Sequence, residues 1–372
     1  MEDLILFILC FLSSINISIK CLNNFYFDYM DLNYTNPIKG IFVWIIILQH
    51  YRSYYIRDPK YIYHEILNRT GQKMVSLFLF YSGFGIYESI TKKGVNYIKN
   101  LPKKGVILLI KFQISLLFFL INNLLLGIKT TFKNYLLAVL LKIGIGNSYW
   151  FALTIISFYI YTYISFNFIQ NKNDIFIGIL LINVISLLHI YFIYYYYHPN
   201  SIPSVDNILC FNIGLYYSLL KKYIDRIIMK NDIHYYGALS LIIIIYTYYY
   251  NYKTKTILIV SIINCLFSLI IILISMKIRF NNEFLIFLNS HSFSIYLLQR
   301  GVMKFFWFKK YFSSNNFIRF YIVFINIILI SVIFDKNMEF ISKLFNNKKY
   351  KQKKEIINIY NDEISRMINY KY

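Results

Sequence analysis

The sequence predicts an all-α, polytopic membrane helical bundle: ten core transmembrane helices preceded by one extra N-terminal helix. Three observations carry this. Of the 372 residues, 58% are hydrophobic and only 15% are charged, whereas a soluble chain carries about 25% charge. Apolar runs of the roughly 20 residues needed to cross hydrocarbon recur from one end to the other. The lysines gather between those runs and in the tail, where basic residues flank membrane spans.

That last distribution also explains the formal net charge of +22. A nucleic-acid partner would need a basic domain outside the membrane, and none stands apart from the spans. The cysteines (Cys10, Cys21, Cys210, Cys265) are scattered without a CxxC pair, so neither a disulfide framework nor a zinc site is implied. The histidines are isolated from one another, and no pair has metal-ligand spacing on a helix.

Taken in order, residues 4–18 form the extra span; they lack the basic start of a cleaved signal peptide. Residues 40–56 are the first core helix, apolar through Leu48 and polar beyond it. Residues 74–90 (MVSLFLFYSGFGIYESI) hold the small residues Ser82, Gly83 and Gly85, which let two helix backbones approach closely. The remaining spans fall at 105–127, 148–168, 175–197, 206–220, 235–250, 257–276, 292–308 and 318–334. Residues 132–146 (FKNYLLAVLLKIGIG) are shorter and interrupted by Lys142, which marks an interfacial or re-entrant piece. The chain thus divides into an extra N-terminal segment and loop (1–35), one membrane domain (36–335) and a basic cytoplasmic tail (336–372).

Orientation follows from the loops. The loop 92–104 holds five lysines, and the tail from Asp335 onward holds nine Lys and Arg, so both belong in the cytoplasm. Eight spans lie between them, the even number that two ends on one side require. The helix 40–56 then leaves the cytoplasm at Lys39 and points His50 outward, with loops 57–72 and 198–205 and the N-terminus outside.

Several polar residues have no place in a helix that merely crosses lipid. In "KGIFVWIIILQHYRS", Lys39 and His50 are eleven residues apart, about three turns and ~16 Å, and share one helix face. Gln49, Arg52 and Ser53 add to a polar outer third, which must line a wet cavity rather than face lipid. Glu88 fits either an interior place or a snorkelling one, whereas Lys111 is expected to snorkel to the inner surface. Gln299 and Arg300 stand in mid-span, where an arginine faces an interior site, held by a carboxylate, backbone carbonyls or a ligand phosphate. His189, within SLLHIYF, reads as a hydrogen-bonded core residue.

These pieces resemble the membrane-bound acyltransferase-3 type family, which O-acylates sugars on or outside the membrane. That family opens with a basic residue, ten residues and a histidine, matched by Lys39 and His50. A pattern like F-F-x-x-S-G-F follows, matched by LFLFYSGF (77–84), then a basic stretch with proline, YIKNLPKK (97–104). NSYWFALTII (147–156) matches a W-F-L-like helix start, and SFSIYLLQ (292–299) a pattern like S-x-S-I-Y-L-x-H, with Gln299 in place of the frequent histidine. The resemblance spans roughly residues 36–335.

It implies transfer of an acyl group, acetyl above all, from cytoplasmic acyl-CoA to a sugar hydroxyl of a surface polysaccharide or lipid-linked glycan. It places the chain as a multi-pass protein of a bacterial cytoplasmic (inner) membrane. His50 would serve as general base or acyl carrier, since a neutral imidazole suits proton removal at neutral pH. Lys39 would meet donor phosphates, Arg52 or Ser82 the oxyanion, and Arg300 a bound substrate. No metal and no permanently bound cofactor are called for; acyl-CoA is a substrate. The rival readings are a transporter or flippase of lipid-linked saccharides, which commonly shows inverted repeats, and a non-catalytic scaffold.

Overall fold

A computed structural model of the chain describes residues 8, 11–55, 70–167, 174–197, 205–252, 256–309, 318–341 and 343. Each of the ten core segments expected from the sequence falls on a helix. The first half comprises α1 (Leu32–Tyr55), α2 (Thr70–Lys93), α3 (Val95–Leu125), the short α4 (Phe132–Val139), α5 (Tyr149–Asn167) and α6 (Ile175–Tyr197). The second comprises α7 (Ile208–Ile228), α8 (Asp232–Tyr250), α9 (Ile257–Ser275), the short α10 (Glu283–Ser290), α11 (Ser292–Lys309) and α12 (Ile318–Ile341). Among the described residues, α3, α5, α6, α9 and α12 are long and apolar enough to cross a membrane by length and composition. The chain is a multi-pass membrane protein. α1 and α2 carry more polar groups; they pack on each other, α1 also on α10 and α11 and α2 on α7.

Contacts between distant residues alternate from end to end. At the Lys39 end, Ser218 of α7 donates to Glu88 of α2 at 2.9 Å, and Lys111 of α3 pairs with Asp335 of α12 at 2.9 Å. At the His50 end, the Gln72 amide of α2 donates to Asp206, just before α7, at 2.8 Å. Tyr55 there donates to the Met303 carbonyl of α11 at 2.7 Å. Helix α2 packs chiefly on α7, where a Cβ on Gly83 would collide with the Phe211 carbonyl and one on Gly214 with the Phe80 carbonyl. The small-residue signal read around Ser82 is therefore a close helix crossing.

Four local expectations are corrected. The loop 92–104 is helical from Val95: Gly94 (φ 55°) turns α2 straight into α3, a left-handed conformation that glycine adopts without strain. Lys111 does not simply snorkel, because Asp335 meets it. The extra segment 4–18 is described only at residue 8 and from 11; its helix ends at 14, Asn16 (φ 59°) turns the chain, and Ile17–Ile19 is a strand, β1. This strand pairs antiparallel with β2 (Ile278–Phe280), a minor addition to an otherwise helical chain. Helix α10, unforeseen, packs on α1 where Gly40 leaves no room for a side chain against the Leu285 carbonyl. Most of loops 57–72 and 198–205, and of the tail 336–372, lies outside the described residues.

The region before α1 is stitched down rather than loose. Arg279 pairs with Asp28 and lies between the Tyr26 and Tyr34 rings, 3.7 and 3.5 Å from their centroids. Tyr29 is fully buried, its hydroxyl 2.7 Å from both Tyr217 and Asp225. The stretch 132–146 folds as a re-entrant hairpin against α3. Gln113 donates to the Val139 carbonyl at 2.8 Å, while Asn123 donates to Thr130 at 3.0 Å and to the Ile145 carbonyl at 3.2 Å. Ten residues of helix, about 15 Å, separate Gln113 from Asn123, so the chain descends through α4 and climbs back. Cys210 and Cys265 have sulfurs 3.5 Å apart and are not bonded.

Candidate functional site

Helix α1 supplies the axis of the site. Its positions 39, 43, 46 and 50 recur at spacings of four, three and four, so Lys39, Val43, Ile46 and His50 share one face. Helix α2 runs antiparallel along it. Gly71 leaves space for the Gln49 amide, Phe42 meets Phe78 at 6.3 Å between centroids, and the Lys39 ammonium sits 5.0 Å from the Tyr81 ring. Lys39 also donates to Asn36 at 3.5 Å. Held over an aromatic face, the ammonium is oriented without being neutralised by a carboxylate.

The other wall is α11. Arg300 lies within electrostatic reach of the partly buried His50. Its Nη1 donates to Ser148 at a long 3.4 Å, and its buried Nε has no partner among the described residues. The re-entrant hairpin delivers Ser148 to this point. Lys304, one turn along, donates to Asn123 at 3.0 Å, and Asn122 donates to the Gly301 carbonyl at 2.7 Å. These bonds fix α11 against α3 and so fix where Arg300 points.

Between the Lys39 and His50 levels lies a cavity of about 90 Å³, lined by Val43, Ile46, Val75, Phe78, Phe151 and Gln299 among others. Gln299 is 0% exposed, yet neither its amide nitrogen nor its oxygen has a partner among the described residues. Tyr296, also on the cavity wall, has its hydroxyl beside Ser148 without a well-aligned hydrogen bond. The Tyr81 hydroxyl, near Lys39, is likewise buried and unpartnered. Buried polar groups are nearly always hydrogen-bonded, so this concentration marks a place built for a polar guest.

Of the residues singled out from the sequence, Arg300 lies within electrostatic reach of His50, and Lys39 shares a helix face with His50. Two are not brought to His50. Ser82 lies next to Tyr81, level with Lys39, and donates to its own helix at Phe78 O, 2.8 Å; antiparallel pairing puts it about three turns from His50. Arg52 follows His50 by two residues, about 200° around the helix, and leaves α1 on the opposite side. His189 accepts or donates a 2.7 Å hydrogen bond with Tyr161, away from this site. Sequence reasoning missed Tyr296, Ser148 and Asp335. The first two lie within the motifs SFSIYLLQ and NSYWFALTII, where they were read as pattern and given no role, whereas Asp335 was visible as a carboxylate ending an apolar span.

A family model described as an acyltransferase domain, of the acyltransferase-3 type, matches residues 32–336. The chain belongs to that family. The match covers α1 to nearly the end of α12, including every residue of the site, and starts just after the stitched region 11–31. Family membership makes the chain a membrane acyltransferase. No curated protein and no solved structure matches it.

Proposed function

We propose that this acyltransferase takes acyl-CoA at the Lys39 end and passes its acyl group, acetyl in our reading, to a sugar hydroxyl at the His50 end. The acceptor is a cell-surface polysaccharide or lipid-linked glycan, and the protein works in a bacterial cytoplasmic membrane. One observation carries the reading: Lys39 and His50 stand at opposite ends of one helix face, Arg300 lies within electrostatic reach of His50, and between the two levels lies a largely apolar cavity with Gln299 and Tyr296 on one wall. A cation suits donor phosphates at the cytoplasmic end, and an imidazole suits a hydroxyl reached from outside.

In the direct route the hydroxyl oxygen attacks the thioester carbonyl carbon while His50 takes the hydroxyl proton. The C–O bond forms, the C–S bond breaks, and the proton passes from the imidazolium to the thiolate. In the stepwise route the imidazole nitrogen attacks first, its C–N bond forming as the C–S bond breaks and CoA leaves as the thiolate; the hydroxyl oxygen then attacks the acyl carbon, the C–N bond breaks, and the hydroxyl proton is left to the released imidazole or the thiolate. Either way the tetrahedral oxyanion forms beside Arg300, whose unpartnered Nε is free to donate to it.

The test uses membranes containing the protein, supplied with radiolabelled acetyl-CoA, and counts label in glycan. His50→Ala should remain inserted and folded, yet transfer should fall by about 10²–10⁴-fold. His189→Ala serves as the control and should keep transfer. Normal transfer by the His50 variant would remove the mechanism.

A further inference from the structure

We infer that the cavity between Lys39 and His50 is the acyl pocket, that it admits only short acyl chains, and that Gln299 holds the acyl carbonyl there. This rests on the acyl-CoA reading of the same site. The argument begins with size. An apolar protein cavity of about 150 Å³ takes up benzene, six carbons. In proportion, the space of about 90 Å³ here holds about four carbon-sized atoms, so with the carbonyl oxygen counted acetyl (about three atoms) fits freely, butyryl (about five) fills it, and hexanoyl (about seven) does not fit.

The chemistry of the walls agrees with an acyl group and not with water alone. Val43, Ile46, Val75, Phe78, Phe151 and Ile295 offer only hydrocarbon or ring surface. Polarity comes from one side, α11, where Gln299 and Tyr296 face the space. A short acyl group has this same division, an alkyl end and one carbonyl oxygen. The Gln299 amide, fully buried and unpartnered, donates through Nε2 to that oxygen. Ile46 is one turn before His50 on α1, about 6 Å along the axis, so a carbonyl held at Gln299 lies within a turn of the imidazole. Arg300, the next residue, takes over as negative charge develops. Where the family resemblance led us to expect a histidine, glutamine keeps an N–H donor.

Extra methylenes in a hydrophobic pocket are discriminated by about 10–200-fold each at most. The experiment measures displacement of radiolabelled acetyl-CoA from the purified full-length protein in detergent by CoA and by acetyl-, butyryl-, hexanoyl- and octanoyl-CoA. Acetyl- and butyryl-CoA should compete similarly, and hexanoyl- and octanoyl-CoA at least about tenfold more weakly. Ile46→Ala should enlarge the pocket and restore hexanoyl-CoA to within a few-fold of acetyl-CoA. Val43→Ile should shrink it and reject butyryl-CoA. Gln299→Leu should erase the preference for acetyl-CoA over CoA, and Gln299→His should retain it. Equal competition by all chain lengths, or a ranking unmoved by Ile46→Ala and Val43→Ile, would overturn the pocket and leave the acyltransferase reading standing. Binding of no acyl-CoA of any length would overturn both.

Discussion

Asp335 anchors a polar cluster at the Lys39-side ends of α3, α11 and α12, and its removal has a calculable effect. Its carboxylate accepts from Lys111 at 2.9 Å, from His291 at 2.8 Å and from Ser294 at 2.6 Å. The Lys111 and Asp335 side chains are only 23% and 14% exposed. Asp335→Leu strands the ammonium of Lys111 two turns inside the membrane. Breaking a buried ion pair by deleting one partner costs about 3–5 kcal/mol. Lys111 can extend part-way to the surface, so the lower end, about 3 kcal/mol, is expected. Removing both charges with Lys111→Met and Asp335→Leu should cost at most about 1 kcal/mol, because an apolar pair of similar volume is often neutral. The double-mutant cycle should therefore show coupling of about 2 kcal/mol, read from denaturant titrations in detergent. An Asp335→Leu variant as stable as the wild type, or a cycle without coupling, would refute the pairing and return Lys111 to simple snorkelling.

Other outcomes are as definite. Lys39→Ala should raise the acyl-CoA concentration needed for half-maximal rate by about tenfold, the scale of one charge-assisted hydrogen bond, with little change in maximal rate; an initial-rate series separates the two. Gly214→Ala forces a methyl into the Phe80 carbonyl of α2 and should cost about 1–3 kcal/mol. Gly85→Ala, with open space around it, should leave the thermal midpoint unchanged. Asp232, at the start of α8, is held below the usual carboxylate range by hydrogen bonds from Lys277 and from the Asn23 N–H. Its contribution is complete above the ordinary value of about 3.9 and fades as pH falls through the depressed one. Hydrogen exchange of residues 17–31 should accelerate across that window in the wild type, and Asp232→Asn should abolish the pH dependence.

A second cavity, of about 810 Å³, opens between α3 and α12 beside this Asp335 cluster, lined by Lys103, Lys111, His291 and Glu339 among others. Its lining shares no residue with the pocket below His50, where the unpartnered amide of Gln299 is found. Volume alone therefore does not locate the chemistry. The smaller space lies against Val43 and Ile46, on the helix face that also carries Lys39 and His50.

What the sequence determined by itself was everything with a short period. The shared face of Lys39 and His50 needs only the helical repeat, and the all-α, multi-pass character needed only apolar length. The re-entrant piece showed in its shortness and in Lys142. Adjacency along the chain, however, is not adjacency in space. Arg52 and Ser82 looked close to His50 in motif order, and the helix repeat and the antiparallel course of α2 carried them away. Arg300 is 250 positions from His50 and Asp335 is 224 from Lys111; no local pattern records such pairs. Strands of three residues such as β1 and β2 show no alternation long enough to read, and eight-residue α10 shows little more. Those features were decided by the tertiary structure, because in a bundle of largely apolar helices it is packing that selects which of the few polar side chains meet.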